Sequence, residues 1–594
     1  MSADTYRWTC PFGAELLDGG RTRFRLWAPG KQEVSVEVEG QPPVAMRRDA
    51  AGLFEAVVDC GAGARYRYRV AEDLAVPDPA SRLQAEDVHG PSVVVDPTSY
   101  RWQQPGYPGR PWREAVIYEL HAGVMGGFDG IRAQLPRLAA LGVTAVELMP
   151  IADFAGQRNW GYDGVLSYAP DTAYGTPQQL KAMIDEAHRL NLCVYLDVVY
   201  NHFGPDGNYL HAYAPIFFDE GKHSPWGAAI DFKKRQVRDF FLHNALYWLM
   251  EYRFDGLRFD AVHAIGEQDF LDELGATIRK TTEPGRHVHL VLENERNTAR
   301  VLAGDFDAQW NDDGHNVLHV LLTGESDSYY SNYAEQPARK LARCLAEGFV
   351  YQGEPMSSHG GKPRGEPSGH LPPDAFVLFL QNHDQIGNRA LGERLTVLTD
   401  RESLRAATVL QLLSPQIPLI FMGEEWGAEE PFLFFTDFHD ELAEAVREGR
   451  RNEFKDFAAF KDPDARDKIP DPNAVTTFER SIPRLDDAGS SDHAEQLQWY
   501  RTLLRIRREQ IVSRLAGTTS IGASAVGDKA VVALWRLGDG AILTIAFNVG
   551  DTDIDSDCPQ GDVLFESRPG AAEKLSSGCL PARSCSVFLS EGGA

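Results

Sequence analysis

The sequence has few basic residues, no long apolar run and no regular cysteine pattern. Its 59 lysines and arginines face 86 aspartates and glutamates, a formal charge of −27 at pH 7. This charge argues against nucleic acid or an anionic membrane as a partner and suits a neutral ligand. No run approaches the roughly 20 apolar residues that cross a membrane, and the first residues show no signal-peptide pattern. We therefore expect a soluble, cytoplasmic protein.

The cysteine pattern argues against a disulfide framework or a zinc site. The seven cysteines are odd in number, include no Cys-x-x-Cys pair, and stand at positions 10, 60, 193, 344, 558, 579 and 585. Such scattered residues indicate reduced thiols. Hydrophobic residues make up 43% of the chain and charged residues 24%, which is typical of a globular protein. The length of 594 residues is enough for several domains.

The two ends of the chain have the pattern of β-domains. Residues 1–98 are predicted to form an immunoglobulin-like β-sandwich, from short alternating runs at 23–27, 34–38, 54–58 and 66–70. The Pro- and Gly-rich stretch 99–111 predicts a linker. Strand candidates such as Ala530–Leu537 and Ala541–Asn548 predict a small antiparallel β-domain over residues 514–594.

Between these domains, apolar strands alternate with segments of helical period. The strand candidates are Ala115–Leu120, Ala145–Met149, Cys193–Val199, Gly256–Asp260, Val288–Glu293, Ala308–Trp310, Phe376–Gln381 and Leu419–Met422. Helical segments include Gly130–Leu141, Pro177–Leu190, Lys233–Tyr252, Gln268–Thr281, Glu335–Glu347 and Arg401–Leu413. Eight such units predict an α/β fold, a (β/α)₈ TIM barrel over residues 112–513. Two long connections, 200–232 and 350–375, fall where such a barrel builds binding specificity.

Polar residues collect where four of the predicted strands end. Asp197 lies near the end of the third strand, Asp260 ends the fourth, Glu293 ends the fifth, and 381–389 closes the seventh. All four ends meet at one rim of a barrel, where charged groups cost stability, so their accumulation predicts an active site. Arg258 stands two residues before Asp260 on one strand face. It can hold that carboxylate ionised, as a glycosidase nucleophile requires.

These motifs resemble the four signature regions of the α-amylase superfamily, glycoside hydrolase family 13. The matches are Asp-x-x-x-Asn-His at 197–202, Gly-x-Arg-x-Asp at 256–260, a strand-ending Glu, and Asn-His-Asp at 382–384. The resemblance implies that Asp260 is the nucleophile, Glu293 the general acid/base, and Asp384 the third carboxylate, which stabilises the transition state. It also implies sugar-binding roles for Tyr162, His202, Arg258 and His383.

Within the superfamily, the chain most resembles the malto-oligosyltrehalose trehalohydrolase family, over nearly its whole length. The stretches that carry this likeness are 146–150, 158–164, 197–205, 207–210, 310–315, 322–325, 381–389 and 391–394. The resemblance implies hydrolysis of the α-1,4 bond between a malto-oligosaccharide and its terminal trehalose unit, with trehalose as the product. It also implies a malto-oligosyltrehalose synthase as the functional partner upstream. The N-terminal domain itself is predicted to be a packing or glucan-orienting module and not a catalytic one.

From the resemblance we expect three stretches, 258–263, 311–315 and 383–388, to line the sugar subsites. The predicted substrate-binding residues are Tyr162, His202, Arg258, Phe259, Ala261, Val262, His263, Asn311, Asp312, Asp313, Gly314, His315, His383, Gln385, Ile386, Gly387 and Asn388. Two features depart from the family pattern. The loop 124–130 is shorter than expected, and Glu295 places a second carboxylate beside Glu293. We retain Glu293 because it directly ends the apolar run 290–292.

Hydrolysis by two carboxylates needs no cofactor. Residues 197–201 could offer oxygen ligands to calcium, but no dense calcium loop is visible, so we expect no metal. Arg258 should lower the pKa of Asp260, and desolvation beside Asp384 should raise that of Glu293.

Two other functions remain open. The first is a glycogen branching or debranching enzyme of the same superfamily; in a branching enzyme a glucan hydroxyl replaces water as the acceptor. The second, of another class, is an inactive glucan-binding protein. The presence of all three carboxylates and of Arg258 argues against the second.

Overall fold

Eight parallel strands close into a barrel in the computed structural model, which describes residues 4–224, 227–455, 457–484, 489 and 491–591. In chain order they are β1 Ile117–Leu120, β2 Ala145–Leu148, β3 Cys193–Val198, β4 Gly256–Phe259, β5 His289–Leu292, β6 Ala308–Trp310, β7 Phe376–Phe379 and β8 Ile417–Phe421. Each strand pairs in parallel with the next, and β1 pairs with β8. The predicted barrel is confirmed. The outermost predicted domain limits, residues 1 and 594, lie outside the described residues.

Several predicted strands run one or two residues too far at their C-terminal ends. Asp260 and Glu293 lie immediately after β4 and β5, and Gln381 lies two residues after β7. The chain turns out of the sheet at these points, and the turn after β4 is sharp because Ala261 has a left-handed φ of 40°. Polar side chains are thereby set at the mouth of the barrel instead of in its wall.

The barrel interior is filled by large apolar side chains. They are each no more than 2% exposed and include Ile117, Tyr195, Val291, Trp310, Phe379 and Leu419. Parallel strands are covered on both faces, which explains why their sequences are almost continuously apolar. The few charged residues within these strands are therefore exceptional.

Helices occupy most of the connections between strands. The longest are Gly127–Leu141, Pro177–Arg189, Arg235–Met250, Asp269–Thr281, Asp312–Thr323, Pro337–Glu347, Arg401–Leu413, Asp440–Glu453 and Ser491–Ile506. The second begins with a capping box between Thr176 and Gln179, and Pro177 fixes its first turn. None of the helices in the described ranges is both long and apolar enough to cross a membrane.

The N-terminal sandwich consists of two antiparallel sheets. One contains Gly13–Leu17, Arg21–Trp27, Leu53–Val58 and Arg47–Arg48, and the other contains Val44–Ala45, Ser35–Val38, Arg65–Ala71, Leu74–Val76 and Ser92–Val93. The sandwich is fastened to the barrel domain, because Arg82 lies 3.2 Å from a Glu251 oxygen and the Gly30 N–H donates to the Tyr213 carbonyl at 3.0 Å. It therefore supports the long connection after β3.

The C-terminal domain is a five-stranded antiparallel sheet. Its strand order is Thr519–Gly527, Ala530–Arg536, Ile542–Asn548, Ser584–Ser590 and Asp562–Glu566. The sheet packs against the barrel helices Pro337–Glu347 and Arg401–Leu413. The predicted fold of this domain is confirmed.

Candidate active site

Three carboxylates meet at the carboxyl ends of β4, β5 and β7. Asp260 and Glu293 are the first residues after β4 and β5, and Asp384 lies in the short helix His383–Gly387 that follows β7. Glu293 and Asp384 line a cleft of about 410 Å³. The carboxyl-end face is where barrel enzymes carry their catalytic residues.

Arg258 organises the carboxylates from beneath the cleft. It is fully buried, and its Nη1 donates to Asp197 Oδ2 and to Asp260 Oδ1, both at 2.7 Å. Its Nη2 lies 3.3 Å from Glu293 Oε2, and its guanidinium carbon lies 4.1 Å from the centre of the Trp310 ring. One cation therefore contacts three carboxylates.

Asp260 is held in its ionised form. Burial opposes ionisation, but the Arg258 guanidinium outweighs it, together with the Asn201 amide and the nearby His202. The Asn201 amide donates to Asp260 Oδ2 at 2.8 Å. The pKa of Asp260 is lowered as a result. The sequence predicted this direction.

The pKa of Glu293 is shifted in the opposite direction. Burial raises the pKa of Glu293 well above its ordinary value, and the neighbouring Asp260, Asp312 and Asp384 add to the rise against the opposing effect of Arg258. Its Oε2 accepts a hydrogen bond from the Ala261 N–H at 2.6 Å. A carboxyl group of raised pKa can keep its proton at neutral pH and donate it.

The second carboxylate of this loop, Glu295, has a different environment. Its side chain is 52% exposed, with His359 Nε2 at 2.8 Å and His263 Nε2 at 3.6 Å from its oxygens. Burial raises the pKa of Glu295, but the two histidines more than offset this and lower it. An ionised Glu295 has no proton to give, which favours Glu293 as the acid.

His383 lies buried between Glu119, Asp384 and Tyr162. Its Nδ1 bonds to the Glu119 carboxylate, and its Nε2 lies 2.8 Å from Tyr162 Oη and 3.4 Å from Asp384 Oδ1. Burial disfavours the charged imidazolium, but Asp384 and Glu119 outweigh it and raise the pKa of His383 to about 9. His383 is therefore a cation at neutral pH, placed beside the third carboxylate.

Tyr162 offers a half-buried aromatic face at the same place. Its ring stacks on His383 with the centroids 5.0 Å apart and the planes 25° apart. Its hydroxyl donates to Asp197 Oδ2 at 2.6 Å, and its carbonyl lies 3.0 Å from His202 Nε2. These contacts fix the ring next to the carboxylates.

Known proteins share this chain's sequence over most of its length. Residues 118–242 match the family model of the alpha amylase catalytic domain, and residues 519–587 match a domain of unknown function, DUF3459. The chain is 42% identical over 512 residues to a malto-oligosyltrehalose trehalohydrolase of Deinococcus radiodurans, covering 84% of this chain and 83% of that one. It is 39% identical over 515 residues to that of Saccharolobus solfataricus, with 84% and 87% covered. The chain belongs to the malto-oligosyltrehalose trehalohydrolase family.

A solved structure shares the fold of this trehalohydrolase-family chain. The crystal structure of a proposed alpha amylase from Salmonella typhimurium superposes with a TM-score of 0.92 at 43% identity, covering 98% of this chain and all of the other. A 1,4-alpha-glucan branching enzyme of Xanthomonas oryzae is 34% identical over 293 residues, only 44% of this chain and 40% of that one. Its likeness is thus confined to less than half of the chain.

Some of the binding residues predicted from the trehalohydrolase resemblance do reach the cleft. Asp312, Gln385 and Asn388 line it together with Glu293 and Asp384. Burial raises the pKa of Asp312 to about 7, with Arg364 opposing the rise. His263 stands at the edge of the cleft through its contact with Glu295.

Other predicted binding residues have their side chains in the protein interior. The side chains of Phe259, Val262 and Ile386 are at most 1% exposed. Gly387 packs against the Trp160 ring, where an added Cβ would lie 2.0 Å from a ring carbon. These side chains shape the loops. That the stretches 258–263 and 383–388 line a sugar subsite stays a prediction.

The stretch 311–315 was predicted to line a sugar subsite, but it begins the helix Asp312–Thr323. Asn311 caps this helix by accepting from the Gly314 N–H at 3.2 Å, and Gly314 packs closely against Leu378. His315 is 1% exposed, and its Nδ1 bonds to the Leu380 carbonyl at 2.8 Å. Of this stretch only Asp312 lines the cleft, because the turn of a helix directs its neighbours inward.

Asp313 has a structural role. Its Oδ1 accepts from Arg364 Nη1 at 2.6 Å and from the Tyr333 hydroxyl at 2.5 Å. Its Oδ2 accepts from the Val350 and Tyr351 N–H groups at 2.8 and 3.1 Å. This buried carboxylate fastens the 350–375 connection to the mouth of the barrel.

The site residues that sequence reasoning missed include Glu119, Asn316, His359 and Arg364. Asn316, His359 and Arg364 line the cleft. Glu119 carried a signal, since it is a charged residue within the apolar strand β1. His359 and Arg364 carried none, because they lie in a long connection whose path the sequence does not reveal.

Within the described ranges, no group of three or more His, Cys, Asp or Glu side chains is arranged to hold a metal ion. Asp197, considered as a calcium ligand, accepts from Arg258 and Tyr162. A larger cavity, of about 560 Å³, lies beside Arg110 and Thr144 at the opposite end of the barrel. Asp260, Glu293 and Asp384 do not line it.

Proposed function

We propose that this protein is a retaining glycosidase that cleaves the α-1,4-glucosidic bond next to the terminal trehalose unit of malto-oligosyltrehalose and releases trehalose. The main support for this reaction is that two carboxyl groups in contact with Arg258 have pKa values shifted in opposite directions. The pKa of Asp260 is lowered and that of Glu293 is raised. A retaining hydrolase needs one ionised carboxylate to attack and one protonated carboxyl to release the leaving group. Membership of the trehalohydrolase family supports the choice of substrate.

In the first step, the Asp260 carboxylate attacks the anomeric carbon of the glucose next to trehalose. Glu293 gives its proton to the bridging oxygen, so trehalose leaves with a new hydroxyl group and the glucan stays bound as an ester of Asp260. Positive charge develops on the sugar ring in the transition state. Asp384, oriented by His383 and Asn388, is placed to stabilise that charge.

In the second step, water replaces trehalose and hydrolyses the ester. Glu293, now ionised, accepts a proton from the water while the bond between the sugar and Asp260 breaks. Once Asp260 is esterified, its charge no longer raises the pKa of Glu293, so Glu293 is ionised and acts as the base, with Asp312 and Asp384 still beside it. Two inversions at the anomeric carbon give net retention.

We assign the sugar next to the scissile bond to Tyr162, His202 and His383. The half-buried Tyr162 ring can pack against the sugar face. The buried imidazoles bond to protein groups and fix Tyr162 and Asp384 beside that sugar. His263, Asp312, Gln385 and Asn388 are further candidates for contact.

The substrate requires an enzyme that builds a trehalose end on a malto-oligosaccharide. A malto-oligosyltrehalose synthase is therefore the proposed functional partner, in a reducing compartment such as the cytoplasm, where the seven free thiols would persist. The branching-enzyme alternative has less support, because that likeness covers less than half of the chain.

Product analysis tests the proposal. Purified protein is incubated with maltopentaosyl-trehalose, maltoheptaose and amylose, and the products are separated by chromatography. We expect free trehalose from the first and little reaction with the others. New α-1,6 branches, or equal cleavage of plain maltodextrin, would contradict the assigned substrate. An Asp260→Asn variant with near-normal turnover would contradict the assigned nucleophile.

A further inference from the structure

A second cavity adjoins the catalytic cleft at Asn388. It has a volume of about 540 Å³, and Asn388 lines both spaces. Glu453 lines the cleft, and the next residue, Phe454, lines the cavity. The two spaces are therefore neighbours with a shared wall.

One wall of this cavity is aromatic. Phe454 is 2% exposed, and the rings of Phe457 and Phe460 pack around it with centroids 5.4 and 5.8 Å away. Phe457 and Phe460 are themselves only half-buried. The three rings belong to a small cluster with Ala390 and Ile469, separate from the main core. Aromatic rings held at the surface in this way leave apolar area for a ligand.

Other residues that line the cavity are polar. Arg389 donates to both Glu325 oxygens at 2.7 and 3.0 Å, and His319 Nε2 lies 2.8 Å from the same carboxylate. Burial opposes ionisation, but these partners lower the pKa of Glu325 to about 2. Asp327, at the rim, is exposed. A fixed ion pair and an open carboxylate offer acceptors for hydroxyl donors.

A cavity lined by both aromatic rings and carboxylates suits a glucose unit. The C–H face of a pyranose packs against the negative face of an aromatic ring, and its hydroxyls donate to carboxylates around the edge. The formal charge of the chain, −27, disfavours an anionic occupant. A neutral sugar chain that continues out of the cleft is the occupant that fits.

We infer that this cavity binds the glucose units of the malto-oligosyl chain that lie farthest from the scissile bond, and that it thereby sets the preferred chain length. The inference rests on the proposed function. Glu293 must face the bridging oxygen, which places trehalose on its side of the cleft. The cavity adjoins the cleft at Asn388, beside Asp384, so it receives the glucan end.

Ring-removing variants test this inference. Phe457→Ala and Phe460→Ala remove half-buried rings, and Phe457→Leu keeps apolar volume without a ring face. Phe565→Ala is the matched control, because Phe565 is also half-buried but packs on Trp499 at the C-terminal sheet. The measurement is kcat/KM for maltopentaosyl-trehalose and for maltosyl-trehalose, with thermal unfolding of each variant.

For each cavity variant we expect kcat/KM on the long substrate to fall by about 3- to 10-fold through KM. The short substrate and the control should be unaffected. Equal loss on both substrates, or no loss on either, would overturn the inference while trehalose release by the wild type still supports the proposed function. If the wild type releases no trehalose, the proposed function is wrong. Calorimetric titration with maltose and maltopentaose then tests whether the cavity binds glucan. The inference is supported if the Phe457 and Phe460 variants bind maltopentaose more weakly than the wild type but bind maltose equally well. Unchanged binding of maltopentaose overturns it.

Discussion

Replacing Arg258 by lysine tests the electrostatic basis of the site. The guanidinium contacts Asp197 and Asp260 at 2.7 Å and Glu293 at 3.3 Å, and it lies 4.1 Å from the centre of the Trp310 ring. A lysine ammonium is a single point charge and cannot reproduce the planar fork. The Arg258→Lys variant keeps one positive charge but cannot pair with all three carboxylates at once.

The expected size of the effect follows from the weaker pairing of Asp260 with the cation. An adjacent opposite charge lowers a carboxyl pKa by about 1 to 3 units, so we expect the pKa of Asp260 to rise by about 1 to 2 units, or about 1.4 to 2.7 kcal/mol. The pKa of Asp260 is lowered in the folded protein. The resulting stability is present above its unfolded pKa, about 3.9, and is lost as the pH falls. The variant is therefore expected to be less stable at pH 7.

The assay is the pH dependence of kcat/KM, beside thermal unfolding at pH 7. We expect the acid limb to move to higher pH by about 1 to 2 units. Arg507→Lys is the control, because Arg507 is equally buried but bonds to the backbone carbonyls of Leu412, Ser414 and Gln416. An acid limb that stays in place while activity falls uniformly would refute the claim that Arg258 keeps Asp260 ionised.

Three further predictions address single residues. Asp313→Asn leaves the buried Arg364 without its counter-charge and should cost about 3 to 5 kcal/mol of stability, measured by denaturant unfolding; an unchanged midpoint would contradict the structural role. In steady-state kinetics, Glu293→Gln should lower kcat by about 10²- to 10⁴-fold, and Glu295→Gln by less than about 10-fold. A larger loss for Glu295→Gln would make Glu295 the general acid instead of Glu293. The pKa of His383 is raised to about 9, so its stabilising effect is full below its unfolded pKa of about 6.5 and is lost as the pH rises through about 9. The stability difference between wild type and His383→Gln should therefore shrink by about 2.5 kcal/mol between pH 7 and pH 10, and a constant difference would contradict this.

The barrel could be predicted because the sequence pattern of each strand and of the segment after it is local. Buried parallel strands are apolar along their whole length, and each is followed by a helix or a polar loop. Asp260, Glu293 and Asp384 could be placed because they directly follow such strands or lie in a specific motif. Even the direction of the pKa of Asp260 was predictable, because its main cause, Arg258, stands two residues away.

The remaining features depend on contacts distant in sequence. Asp313 lies in a polar stretch that resembles a binding loop, and only its bond to Arg364, 51 residues away, shows that it is structural. The lowered pKa of Glu295 likewise depends on a distant contact, because His359 lies 64 residues from Glu295. No local pattern specifies such pairs. For the same reason the cavity beside Asn388, built partly by Phe457, was not predicted.

The most direct test of the proposed mechanism is proton NMR of the reaction with maltopentaosyl-trehalose, recorded from the first moments. We predict free trehalose together with maltopentaose that appears first as its α-anomer, because Asp260 attack followed by water attack gives net retention. Maltopentaose appearing first as the β-anomer would contradict Asp260 as the nucleophile. Cleavage without trehalose would contradict the assigned bond.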